Sequence, residues 1–336
     1  MDWTRVLGQV AGEIIAPTTA AYALAAIGLN IHFGMTGLLN FGQAGFMLLG
    51  AYAFAIATIA GWPLWAAVLI SLASAVVFAL ILGIPTLKLR GDYLAIVTIA
   101  AAEILRLVAR STSMTRITGG NAGLAEGYKD TFEDLSPFPN GSLALGPFNY
   151  SINASNSWWL RIVAWLLVGV GCYLVWRWMR SPWGRVLKGI REDEDAVRSL
   201  GKNVYSYKMQ SLMLGGMIGA LAGFMVALRS AAINPSQFAT DTTFFAYTVL
   251  LIGGAARVLG PVAGAIIFWF LITFLDLFFS QATNPSSGPL IPDWIMNEQQ
   301  ASLMRFIFLG LSLMLLMIFR PQGIFGDRKE LAIDAR

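Results

Sequence analysis

Charge is what this sequence has least of. Only 12% of its 336 residues are Asp, Glu, Lys or Arg, about half of the roughly 25% that a water-soluble domain carries. A chain so poorly charged cannot dress an exterior that faces water on every side. Histidine and cysteine are scarcer still, with one of each, His32 and Cys172. A single cysteine excludes a disulfide framework, and the two together leave no metal site of the Cys/His kind. A phosphate-cradling G-x-x-x-x-G-K-[ST] loop is missing too, since Gly201-Lys202 runs into Asn203 and lacks the upstream glycine. No metal, cofactor or catalytic set is therefore expected, and any ATP hydrolysis must reside in another chain. Nor does the stretch Met1 to Glu13 have the basic, apolar, small-residue order of a cleavable signal peptide.

What the chain has instead is long apolar runs. With 57% hydrophobic residues and a mean hydropathy of +0.65, lipid is the solvent its exterior fits. A bilayer core needs about 20 apolar residues per helix, and nine segments answer: 14–31, 35–60, 64–85, 92–110, 158–179, 206–229, 241–256, 259–280 and 302–319. Two are interrupted by glycine and polar residues, at Asn40-Phe41-Gly42-Gln43 and at Gly253-Gly254. The fold class is an all-α integral membrane protein of eight to nine transmembrane helices.

Loop charge orients it. The most basic connection, with Arg180, Arg185, Lys188, Arg191, Arg198, Lys202 and Lys208, belongs in the cytoplasm. Lys88 with Arg90, Arg257, and the tail with Arg320, Arg328 and Lys329 then fall on the same side, and 111–157 and 281–300 fall outside. The N-terminus is out and the C-terminus in. The net charge of +4 follows this loop pattern and forms no basic stripe for nucleic acid. Trp158 and Trp159 open the fifth segment and Trp176, Trp178 and Trp183 close it, a spacing of about 26 Å at 1.5 Å per residue that suits two interface belts. Gly215, Gly219 and Gly223, and again Gly260 and Gly264, form small-xxx-small faces where helices approach closely.

Ionisable groups at membrane depth are functional candidates. Glu103 and Arg106 stand three apart on one helix and can pair; they read as a neutralised intramembrane ion pair tying that helix to the outer loop, as a direct substrate contact, or as a contact for a partner outside. Asp276 needs a partner that sequence does not name. Asn40, Gly42 and Gln43 at the first interruption are candidates for lining a solute path, because broken backbone offers donors and acceptors; Asn40 and Gln43 are expected on the same side of a helix. The alternative is that they only cap the break. His32 reads as an interfacial packing residue.

The stretch 181–205 reads as a short surface helix from Pro182 to Gly201. Val186, Ile190, Val197 and Leu200 give it a partly apolar face among charges. It suits docking into a partner's groove or serving as a charged juxtamembrane linker.

Several runs resemble the permease family of branched-chain amino-acid ABC importers, of the M type. They are Gly37-Leu38-Leu39-Asn40-Phe41-Gly42-Gln43-Ala44-Gly45-Phe46, the stretch from Pro85 to Thr98, Glu103-Ile104-Leu105-Arg106, Thr118-Gly119-Gly120-Asn121-Ala122-Gly123-Leu124, the loop 184–201, and Arg320-Pro321-Gln322-Gly323-Ile324-Phe325-Gly326. They keep order and spacing over nearly the whole chain. The resemblance implies one non-catalytic permease domain, 1–336, in a bacterial inner membrane, with a periplasmic segment at 111–157 and a cytoplasmic tail at 321–336. Its partners would be a second, paralogous permease forming a heterodimer, two cytoplasmic ATPases and a periplasmic solute-binding protein. Asp195-Ala196-Val197-x-x-x-Gly201 resembles the coupling-helix pattern of such permeases, with two departures from it, so Gly184, Arg185, Arg191, Glu192, Asp193, Glu194, Asp195 and Gly201 become ATPase-coupling candidates. The solute implied is a branched-chain or other neutral amino acid. An ion-gradient-driven transporter or channel is the alternative, and it would need coupling carboxylates beyond Glu103 and Asp276.

Overall fold

A computed structural model describes residues 3–89, 91–125, 127–138, 142–145, 148–151, 157–230, 232–283 and 298–326. Arg90, Arg328, Lys329 and most of the 281–300 loop lie outside the described residues. The helices run α1 (Trp3–Ile14), α2 (Pro17–Leu29), α3 (Gln43–Ile59), α4 (Leu64–Thr86), α5 (Gly91–Arg110), α6 (Thr115–Thr118), α7 (Asp130–Glu133), α8 (Trp158–Met179), α9 (Pro182–Glu192), α10 (Glu194–Ser199), α11 (Val204–Arg229), α12 (Thr240–Gly253), α13 (Gly260–Ala282) and α14 (Glu298–Phe319). Five described stretches are long and apolar enough to cross a membrane: Val6–Met35, Leu64–Thr86, Trp158–Met179, Val204–Arg229 and Gly260–Ala282. Gln43–Ile59 and Leu303–Phe319 are apolar but shorter.

Every apolar run found in the sequence folds as helix, with three differences. The first run does not stop at 31: α2 passes into a π-helical turn, Asn30–Met35, so the second begins only at Gln43. Gly37, with φ +75°, ends the helical path. The segment 111–157 carries an antiparallel hairpin, β1 (Ser142–Leu145) with β2 (Phe148–Ser151), pairing Ser142 with Ser151 and Leu145 with Phe148. The fold is therefore helical with one small hairpin. Finally, α1 is an additional amphipathic helix packed against α13, with Val6 and Val10 buried and Trp3 and Leu7 exposed.

The centre of the molecule is α11, which packs against α2, α3 and α4. Its glycine face is what allows this. A Cβ at Gly28 of α2 would sit 2.5 Å from the Gly215 carbonyl oxygen, and one at Gly223 would overlap the Met47 carbonyl of α3. Gly264 does the same for α13, where a Cβ would strike the Val249 carbonyl of α12. Between helices in lipid, attraction comes mainly from such close backbone approach.

Gly223→Val should lower thermal stability by about 1–3 kcal/mol through overpacking at the α3–α11 contact. Gly169 of α8 has nothing within 4 Å of its notional Cβ, so Gly169→Ala should be neutral or gain roughly 0.5–1 kcal/mol. Melting of the two variants in detergent, followed by size-exclusion chromatography, checks the contrast.

Candidate functional site

The first break, 37–42, lies deep in the protein. Thr98, which touches it, is seven residues into α5, and Leu212 is eight residues into α11, about 10–12 Å from the N-terminal ends of those helices at 1.5 Å per residue. Backbone at that depth must find its hydrogen bonds within the protein. It does so through side chains from two neighbouring helices. The Phe41 amide donates to Thr98 Oγ1 of α5 at 3.0 Å, and the Ala44 amide to Thr243 Oγ1 of α12 at 2.9 Å. The Asn40 carbonyl accepts from the Tyr247 hydroxyl of α12 at 2.8 Å.

Asn40 is wholly buried. Its Oδ1 accepts from the Gly42 amide at 2.9 Å, and its Nδ2 faces His32 Nδ1 at 3.0 Å. His32 Nε2 is 3.2 Å from the Leu212 carbonyl. A carbonyl can only accept, so Nε2 carries the proton and Nδ1 accepts from Asn40. His32 is thus a buried bridge from the π turn to α11, not an interfacial residue. Gly42 is required for contact: a Cβ there would lie 2.6 Å from the Thr98 carbonyl oxygen. Gln43, also wholly buried, opens α3 and sends Nε2 3.3 Å to the Ala25 carbonyl; its Oε1 has no hydrogen-bond partner among the described residues. Asn40 and Gln43 do not share a helix face, because Asn40 lies in the non-helical stretch and caps Gly42. In this conformation all three candidates are enclosed by protein.

The second break, 254–259, is tied to the same π turn. Asn30 accepts from the Ala256 amide at 2.8 Å and donates to the Arg257 carbonyl at 2.7 Å. Ala256 has φ +65°, a left-handed conformation unusual for a residue with a Cβ, and Asn30 holds it there. The run 320–326 clasps the end of α12, with Ile324 N donating to Ile252 O at 2.9 Å and Phe325 N to Gly253 O at 3.2 Å. A Cβ at Gly323 would lie 2.6 Å from Gly254 Cα.

The basic loop reaches this point as well. The expected single helix from Pro182 to Gly201 is two, α9 and α10, because Asp193 is extended (φ −154°, ψ 105°) and its carboxylate caps α10. It accepts from the Asp195 and Ala196 amides at 2.9 and 3.0 Å. Gly184 is buried, with a notional Cβ 2.5 Å from Met179 Cα. Arg191 donates to the Gly34 carbonyl at the end of the π turn. Glu194 points inward, bridging Lys208 of α11 and Arg198, the latter at 2.9 Å, and Asp195 pairs with Arg198 at 2.8 Å. Arg185, Glu192, Asp193, Asp195 and Gly201 are exposed, as is Leu200 at 79%.

Glu103 and Arg106 form a two-pronged ion pair, with Arg106 Nε 2.9 Å from Glu103 Oε2. One turn on, Arg110 donates to Asn121 Oδ1 at 2.8 Å. The partner of Asp276 is Arg305 of α14, at 2.7 Å. Sequence reasoning missed Asn30, Thr243 and Tyr247 as parts of the site. The signal for Asn30 was an amide in an apolar run seven residues before a glycine break.

Apolar helices joined by buried, side-chain-satisfied breaks define a multi-pass helical membrane protein. Residues 13–318 match the family model described as branched-chain amino acid transport system, permease component, and the chain belongs to that family. It is 31% identical over 328 residues to the high-affinity branched-chain amino acid transport system permease protein LivM of Escherichia coli, covering 92% of this chain and 69% of that one. A probable LivM of Methanocaldococcus jannaschii is 26% identical, with 91% of each chain covered. The guanosine ABC transporter permease protein NupQ of Bacillus subtilis is 24% identical, over 80% of this chain and 82% of that one.

Asn30→Ala should remove the bonds to the half-buried Ala256 amide and to the Arg257 carbonyl and cost about 1–3 kcal/mol for the two together. Thermal melting of the purified chain checks this, with Gln9→Ala, at an exposed position of α1, expected to be near neutral.

Proposed function

We propose that this chain is the permease subunit of an ATP-driven ABC importer for branched-chain or other neutral amino acids. It would work as one permease domain beside a paralogous permease, above two ATPases and below a periplasmic binding protein, in a bacterial inner membrane. The observation that carries this reading is the family match over 13–318. Nine crossings fit it: α2, α3, α4, α5, α8, α11, α12, α13 and α14, with the N-terminus out and the tail 321–336 in. Both breaks, the loop 181–205 and the clasp 320–326 then meet near the cytoplasmic face, and 111–157 lies outside.

The geometry supports a route for force. ATPase closure has to press on something joined to the path, and Arg191 joins α9 to the Gly34 carbonyl, one turn before the break that holds Asn40, Gly42 and Gln43. The ion-gradient alternative is weaker because Glu103 and Asp276 each have an arginine partner. Exposed Arg185 and Glu192 are available to set register with an ATPase surface, whereas Asp193 caps α10, Asp195 pairs with Arg198 and Glu194 braces α10 against α11.

In proteoliposomes with the full complex and binding protein, Arg191→Ala should lower ATP-driven leucine uptake at least about tenfold, a loss typical of a severed charge-assisted bond, while ATP hydrolysis persists. Unchanged uptake would remove Arg191 from the route. Uptake by this chain alone under an ion gradient would overturn the importer reading, and uptake of guanosine in place of leucine would overturn the solute class.

Glu192→Arg should reduce ATPase co-purification and leave melting unchanged, while Glu194→Arg should lower both, since it places a cation against Lys208. Equal behaviour of the two variants would argue against this division of roles.

A further inference from the structure

A second feature sits beside the breaks and plays no part in the route just described. Between the end of α8, the face of α9 and the second break is a cavity of about 290 Å³ lined by Met35, Trp176, Met179, Arg180, Lys188, Ala256, Arg257 and Val258. Three basic residues from three separate elements, Arg180, Lys188 and Arg257, line it, and the rest of its lining is apolar. Arg180 is held in place by its guanidinium stacking 4.3 Å over the Trp176 ring, and Trp176 itself is 40% exposed on the outer side of α8. The backbone carrying Arg257 is fixed by Asn30. The cavity thus joins a basic cup to an apolar, aromatic collar on the outward-facing side of a membrane-spanning helix.

That combination suits an amphiphile with an anionic head. Arginine recognises phosphate oxygens through paired N–H donors, and basic pockets between helices on the cytoplasmic side take up anionic lipid head groups. We propose that this cavity binds the phosphodiester head of an anionic phospholipid from the cytoplasmic leaflet, with an acyl chain along α8 beside Trp176. The bound head would tie α8, α9 and the second break to one anion. The proposal rests on the orientation given above, and on nothing about the transported solute.

Native mass spectrometry of the full chain in mild detergent, titrated with phosphatidylglycerol or phosphatidylcholine, tests it. Phosphatidylglycerol should be retained preferentially, and Lys188→Gln and Arg180→Gln should each weaken retention about fivefold, the effect of one interfacial cation. Lys188→Arg should restore it. Equal retention of the two lipids, or variants that bind like the parent, would overturn the proposal. Displacement of the lipid by millimolar inorganic phosphate, with only the free ion retained, would overturn the lipid assignment in favour of a soluble anion. If Arg180→Gln does not fold, the Lys188 pair of variants decides the matter alone. Labelling of Arg185→Cys from outside, in a Cys172→Ser background, would refute the orientation without changing the retention ratio, so the two failures are distinguishable.

Discussion

Everything in this molecule turns on one constraint, that peptide groups in a bilayer must be hydrogen-bonded within the protein. A continuous helix meets it without help. Here the chain leaves the helix at Gly37 and must meet it with side chains. Thr98 and Thr243 accept from two amides, Asn40 from a third, and Tyr247 donates to the one carbonyl. These partners come from α5 and α12, so the break cannot form until those helices have packed around it. The glycine faces of α2 and α11 allow that packing, because His32 and Gln43 fit only where Gly215 and Gly219 lack side chains. Hydrogen bonding and close packing are therefore one requirement, met in one place.

The same accounting explains why the π turn is the hub. Asn30 spends its amide on the second break, and the Gly34 carbonyl, released from ordinary helical bonding, is taken by Arg191. A π turn is a common feature of functional sites because it frees backbone groups for other uses. Here the freed groups bind α9 and a loop held in a strained conformation at Ala256. Rigid elements meeting at a strained point can have two discrete arrangements, which is what a mechanical switch requires.

Sequence patterning disclosed the helices and both breaks because each leaves a local mark: an apolar run of sufficient length, or glycines set among polar residues. It did not disclose partners. His32 meets Leu212, Asn30 meets Ala256 and Asp276 meets Arg305 across separations that no periodicity encodes. The split at Asp193 had a local mark, an aspartate before a short acidic turn, but Pro182 and Gly201 framed the stretch so clearly that the inner cap was passed over. Glu194 looked like its exposed neighbours, and only the position of Lys208 turns it inward. The small hairpin and α1 were hidden for another reason. Hydropathy reads membrane spans well and reads elements outside the apolar layer poorly.

Among the three path candidates, the structure separates one from the others. Asn40 makes bonds through both ends of its amide, and Gly42 is defined by the contact that its missing side chain allows. Gln43 has one long bond, 3.3 Å, and a buried oxygen with no partner among the described residues. Exchanging its oxygen and nitrogen would not help, since the atom facing Ala25 must then accept from a carbonyl that has no proton to give. A buried acceptor left unpaired costs about 1–3 kcal/mol. The two bonds of Asn40 therefore hold the break in the conformation seen here, while Gln43 adds one long bond and carries that cost.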